Sequence, residues 1–179
     1  MKTLTYTLLP KSMLDLKAEG MPFWSTWWET ELFAREKARA ITIEIPAEFP
    51  KETLNITGDD AVRFNHILSA PEYAQIIWLH YQATKEYLYG YYWSWTSSRS
   101  SAGGLVFLGG FASGGALVHG RGPSHSDSTL GVALSRQGVV PSVPLSSSSS
   151  LDLGRLENHI TDVSKKVDHL TELMERHFK

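Results

Sequence analysis

Two imidazoles and a carboxylate, His119, His125 and Asp127, fall within nine positions of one another, and these are donor types that bind transition-metal ions. Their spacing on a Gly/Ser/Pro-rich stretch matches no closed ligand set, so no metal is expected there. The surrounding glycines match no phosphate-binding or nucleophile motif. No Lys-Ser/Thr pair follows them as in a P-loop, "GRGPSH" lacks the third glycine of a dinucleotide loop, and "GFASGG" is not a G-x-S-x-G elbow. Asp59 and Asp60 follow Thr57 and read as helix-start carboxylates. The chain has no cysteine, which removes thiolate nucleophiles and cysteine-ligated zinc. No catalytic residue and no cofactor are assigned, and an enzyme is not expected.

A second chemistry, stacking on sugar rings or bases, is offered by "YLYGYYWSW" at 87–95, with six aromatic rings in nine positions. Tyr87, Tyr89, Tyr91, Trp93 and Trp95 alternate with Leu88, Gly90, Tyr92 and Ser94, a period of two. The alternation predicts a strand with five rings on one face, closing an N-terminal sheet.

The elements that would carry such a strand are legible upstream. Leu4, Tyr6 and Leu8 alternate with threonines, and Ile41, Ile43 and Ile45 alternate with Thr42 and Glu44, so two half-buried strands are predicted. Thr26 and Glu29 have capping-box spacing and predict a helix over about 26–39, with Leu32 on the same face as Trp28. "TGDD" opens a second helix whose stripe is Ala61, Phe64, Ile67 and Leu68. Ser69, Pro71 and Glu72 open a third, which buries Tyr73, Ile76, Ile77 and Tyr81. His66 and His80, on or near these stripes, read as boundary residues rather than ligands. Asn55-Ile56-Thr57 fits a glycosylation acceptor but reads as a loop before a helix.

Charge then nearly vanishes. Between 100 and 150 only Arg121, Asp127 and Arg136 are charged, and that span holds ten of the 14 glycines and the serines 146–150. Short apolar pieces broken by glycine pairs predict short strands and turns, or an irregular segment. Residues 102–118 are uncharged and follow the aromatic cluster, which raises a membrane-inserting role for 87–118.

The tail carries the strongest pattern. Leu153, Leu156, Ile160, Val163, Val167, Leu170 and Met174 are spaced alternately three and four apart and occupy the a and d positions of a heptad repeat, with His177 following at d. With β-branched residues in both sets and no buried Asn or Lys, a parallel trimer or tetramer is expected rather than a dimer. About four heptads make a marginal helix alone, so contacts elsewhere are expected to assist.

The fold class expected is therefore α+β: a head module over 1–96, a Gly/Ser-rich low-charge segment and linker over 97–150, and a coiled-coil helix over 151–179. A formal charge of −2 gives no basic field for a phosphate backbone, so nucleic acid is not the expected partner. The N-terminal stretch alternates threonines with apolar residues and meets Pro10 before any apolar block, so no signal peptide and cytoplasmic synthesis are expected. The function class favoured is a non-enzymatic homo-oligomeric structural or assembly protein. In layout alone, with no motif behind the comparison, this resembles fibre, spike or scaffold components of viruses and phages. The alternatives are an oligomeric membrane-active protein inserting 87–118 and an aromatic-platform binding module for glycan or nucleic acid.

Overall fold

A computed structural model describes residues 2–137 of the chain. The heptad residues Leu153 to Met174 and the serine run lie outside the described residues.

The protein is α+β, with three α-helices and two sheets among the described residues. The first two strands form where alternation predicts them, β1 at Thr3–Thr7 and β2 at Thr42–Pro46, paired antiparallel with Leu4 opposite Ile45 and Tyr6 opposite Ile43. Ile43 and Ile45 are buried, while the β1 side chains are at most half-buried, so β1 is the wetter edge of its sheet. Helix α1 (Met13–Ala18) was not foreseen from the sequence. Ser12 caps it: its Oγ accepts from the Asp15 N–H, and Asp15 in turn accepts from the Ser12 backbone at 2.8 Å.

The helix predicted over 26–39 is replaced by two 3₁₀ turns, Trp27–Thr30 and Leu32–Arg35, with Glu31 extended between them. The capping pair is drawn elsewhere. Thr26 makes no side-chain cap, Glu29 pairs with Lys17 at 2.5 Å, and Glu31 accepts from the Ser101 N–H at 2.6 Å. Both indoles need a carbonyl: Trp28 Nε1 donates to Ser25 at 2.7 Å and Trp27 Nε1 to Val118 at 2.9 Å. A continuous helix would compete with these tertiary anchors, and Leu32, expected on the Trp28 face, is 80% exposed.

The "TGDD" helix, α2, is a single turn, Gly58–Ala61, capped by Thr57. It stops well short of the predicted stripe: Phe64 and Ile67 are half-buried, Leu68 is buried, and His66 sits at φ +69°. Helix α3 (Ala70–Thr84) forms as predicted, with the Ser69/Glu72 capping box closed in both directions. It buries Tyr73, Ile76 and Ile77 in the main core.

Only the last part of "YLYGYYWSW" is a strand. Tyr89 and Gly90 both take left-handed backbone, φ +61° and +53°, and turn the chain between α3 and β3, which begins at Trp93 and ends at Arg99. Residues 87–92 are therefore not one strand face. The boundary expected at residue 96 falls inside β3. The glycine-rich run then supplies β4 (Leu105–Ala112) and β5 (Gly115–Arg121), and β6 (Leu130–Gly131) follows. These join β3 in one sheet of order β5-β4-β3-β6, with β6 parallel to β3. Strand β7 (Arg136–Gln137) returns to β2, and among the described residues the other sheet has the order β1-β2-β7.

The apolar residues of the uncharged run are consumed by this sheet: Leu105, Val106, Phe107, Leu108, Phe111, Ala116 and Val118 are all buried. No described helix is long and apolar enough to cross a membrane. Cross-strand pairing fixes which side chains share a face. Val106, Leu108 and Val118 join the main core with α1, α3, Ile43 and Ile45. On the other face, Trp95, Leu105, Phe107 and Leu130 form a second cluster with Ala61 and Val132.

Candidate functional site

The second face of the larger sheet carries the site. Register places Trp95 opposite Phe107 and Phe107 opposite His119, so an indole, a phenyl ring and an imidazole form one row across three strands. Two residues along each strand, Trp93 stands beside Trp95 and Arg121 beside His119. Trp95 is fully buried and donates to the Ile56 carbonyl at 3.2 Å, which anchors the inner end of the row. The cover supplied by α2 and the residues after it stops short of β5. A cleft of about 270 Å³ is left at Trp93, Phe107, His119 and Arg121, and His125, Asp127, Thr129 and Leu130 close it from the loop before β6.

Trp93 is held from below by glycine. A Cβ on Gly110 would meet the Trp93 ring at 3.0 Å, and one on Gly109, at φ +155°, would meet the Tyr92 carbonyl oxygen at 2.5 Å. The "GG" in β4 is thus a bulge that lets an indole lie on the backbone. The rings of the cleft are in contact. Trp93 meets Phe107 edge-on at 5.5 Å and His119 at 5.8 Å. Both imidazoles lie near parallel to Phe107, His119 at 5.6 Å and 27°, His125 at 6.2 Å and 18°.

Partial burial lowers the His119 pKa, and the Arg121 guanidinium lowers it further, so this imidazole is neutral near pH 7. Asp127 is held below the usual carboxylate range by Thr129, whose Oγ1 donates at 2.6 Å and whose N–H donates at 2.8 Å, both to Oδ1. Neither imidazole hydrogen-bonds a carboxylate or hydroxyl among the described residues. Among the described residues, neither imidazole of the cleft is therefore oriented as a base toward a nucleophile.

Among the described residues no group of three or more His, Asp or Glu is placed to hold a metal ion. His119, His125 and Asp127 do line one cleft, but Asp127 is turned to Thr129. Of the rings expected on a single face, only Trp93 and Trp95 share one. Tyr87 stacks on Tyr81 at 5.1 Å, and Tyr89 buries its ring against Phe49 while its OH donates to Pro46 at 2.6 Å. Tyr91 is 65% exposed and its OH donates to that of Tyr92. His80 accepts or donates at Nδ1 with the Tyr6 hydroxyl at 2.7 Å, a boundary histidine as expected. Phe107 and Arg121 were not singled out for the site from the sequence. The usable signal was Arg121 and Asp127 themselves, two of the three charges in the long uncharged span, and both stand at this cleft.

Compared with known proteins, the chain matches no family model, no curated protein and no solved structure.

Proposed function

We propose that this chain is a non-enzymatic, homo-oligomeric assembly protein whose folded head displays a recognition cleft in several copies. The observation that carries the recognition half is the Trp93–Phe107–His119 array with Arg121 beside it. Rings, a guanidinium and two imidazoles converge there, and among the described residues neither imidazole hydrogen-bonds a hydroxyl. The assembly half rests on the a/d heptad residues Leu153, Leu156, Ile160, Val163, Val167, Leu170 and Met174, joined to the head through the serine run.

The two halves support each other through affinity. A small open cleft binds weakly alone, and joining three or four copies raises effective concentration at a repetitive surface. Burial of Leu105 to Leu108, Phe111, Ala116 and Val118 inside the head accounts for the apolar part of the uncharged run without a membrane, which favours this reading over insertion. Light scattering of the full chain beside one ending at Ser150 tests the assembly: the full chain is expected as a trimer or tetramer and the shortened one as a monomer.

A further inference from the structure

We propose that the cleft takes an acidic saccharide, with a sugar ring laid against Trp93 and its carboxylate or sulfate held by the Arg121 guanidinium. This rests on the recognition half of the function proposed above and gives that site its ligand class.

The cleft does not end at Arg121. A second depression, of about 380 Å³, shares His119 and Arg121 with it and reaches Trp27 and Glu31. A third shares Ser100, Ala102, Gly120 and Arg121 with the second and runs on to Gly103 and Gly104. The three make a trough around the end of β5, lined by rings at one end and by bare glycine backbone at the other. Such a trough suits an extended polymer of small rings better than a single compact molecule.

The polar groups in the trough are unequally committed. Glu31 accepts from the Ser101 N–H and hydroxyl at 2.6 and 3.0 Å, and Asp127 accepts twice from Thr129. Arg121 has no carboxylate partner among the described residues, and neither the His119 nor the His125 imidazole has a hydrogen-bond partner among them. Both carboxylates are thus already served by donors of the chain itself. The groups left to meet a ligand are a guanidinium fork, suited to bidentate carboxylate or sulfate, and two imidazoles. A single fixed cation beside rings, in a chain of formal charge −2, matches an occasional anionic group on a sugar better than the unbroken charge of a phosphate backbone. An anion in this position also favours protonation of His119, whose pKa burial and Arg121 hold below 6.5. Affinity should therefore rise as pH falls below 6.5, with Arg121, His119, His125, Asp127 and Glu31 the charged or titratable groups that face the ligand.

The test is calorimetric titration of the full chain with four probes: tetragalacturonate, a sulfated disaccharide, maltotetraose and an eight-residue oligothymidylate. At least one acidic saccharide is expected to bind, tenfold or more tighter than maltotetraose, and the two acidic arms distinguish carboxylate from sulfate. Arg121→Gln should weaken that binding roughly tenfold or more while Arg121→Lys recovers part of it. Arg121 is exposed, and a wild-type near-UV circular dichroism spectrum of each variant certifies its fold. Failure of both acidic saccharides to bind overturns the proposal, as does equal binding of maltotetraose, tighter binding of the oligothymidylate, or an Arg121→Gln affinity equal to wild type. Light scattering on the same sample separates this from the assembly claim: a multimer that binds no acidic saccharide loses only the ligand, and a monomer that binds one loses only the assembly.

Discussion

Phe107 faces His119 across the β4–β5 pairing, their rings 5.6 Å apart and 27° from parallel. The contact joins the buried cluster around Trp95 to the open trough at Arg121, so the site is an outgrowth of the second core. Phe107→Ala should therefore loosen the head and the cleft together, lowering stability by about 3 kcal/mol. Urea denaturation followed by tryptophan fluorescence reads the loss. A change under 1 kcal/mol would mean that Phe107 does not tie the two together.

Gly109 is held at φ +155° with the Tyr92 carbonyl oxygen 2.5 Å and the Trp93 Cα 2.8 Å from where a Cβ would stand. Both obstacles are backbone and cannot rotate away. Gly109→Ala should cost about 3 kcal/mol and move the Trp93 indole, whereas Gly103→Ala, with no atom within 4 Å of its added Cβ but φ +81°, should cost less, about 1 kcal/mol. Paired melting curves check the order, which should not reverse.

Glu72 exposes 3% of its side chain yet caps α3 through the Ser69 N–H at 2.8 Å and receives Arg39 Nε at 2.5 Å. Burial raises its pKa, but the Arg39 and Ser69 hydrogen bonds together outweigh that, and the net shift is downward. Its folded pKa lies below the unfolded one, so its contribution is complete above pH 4.5 and is lost as pH falls through the lowered value. Glu72→Ala should destabilise by about 2–3 kcal/mol at pH 7, with a smaller difference from wild type at pH 3, measured by denaturant titration at each pH.

His80 and His119 both titrate below 6.5. Burial lowers His80, partly offset by Glu86, and burial then Arg121 lower His119. The unfolded chain therefore binds more protons below that pH, so stability should fall as pH drops from 6.5 through the lowered folded values. Melting temperature should be lower at pH 5.5 than at 7.5, with a smaller drop in His80→Gln. A flat profile over this window would contradict the assignment.

Tyr73 buries its hydroxyl without a protein hydrogen-bond partner among the described residues, and burial raises its pKa well above the ordinary tyrosine value. Removing an unpaired hydroxyl removes its desolvation penalty. Tyr73→Phe should leave stability unchanged or raise it by about 1 kcal/mol, read from the melting midpoint.

Local pattern made β1, β2 and α3 legible, because alternation and a closed capping box are decided within a few residues. The 26–39 segment was not, since Trp27, Glu29 and Glu31 find partners at Val118, Lys17 and Ser101, beyond the reach of any window. Trp93 and Trp95, two apart in β3, both pack on Phe107, as alternation implies. Alternation failed for Tyr87 to Tyr91 because two left-handed residues, only one of them glycine, turn the chain there. The trough was visible only as isolated charges. Its geometry depends on the register that sets His119 against Phe107, and that register is set by the Gly109–Ala112 irregularity in β4.

The proposal that these heads act as a multimer held by the heptad seam is tested most directly by the light-scattering mass of the full chain beside a Val163→Asp, Leu170→Asp double variant, which places charges in the seam and leaves residues 2–137 untouched. Three or four chain masses are expected for the wild type and one for the variant, with the head's melting retained. A monomeric wild type, or a variant that stays multimeric, would contradict it.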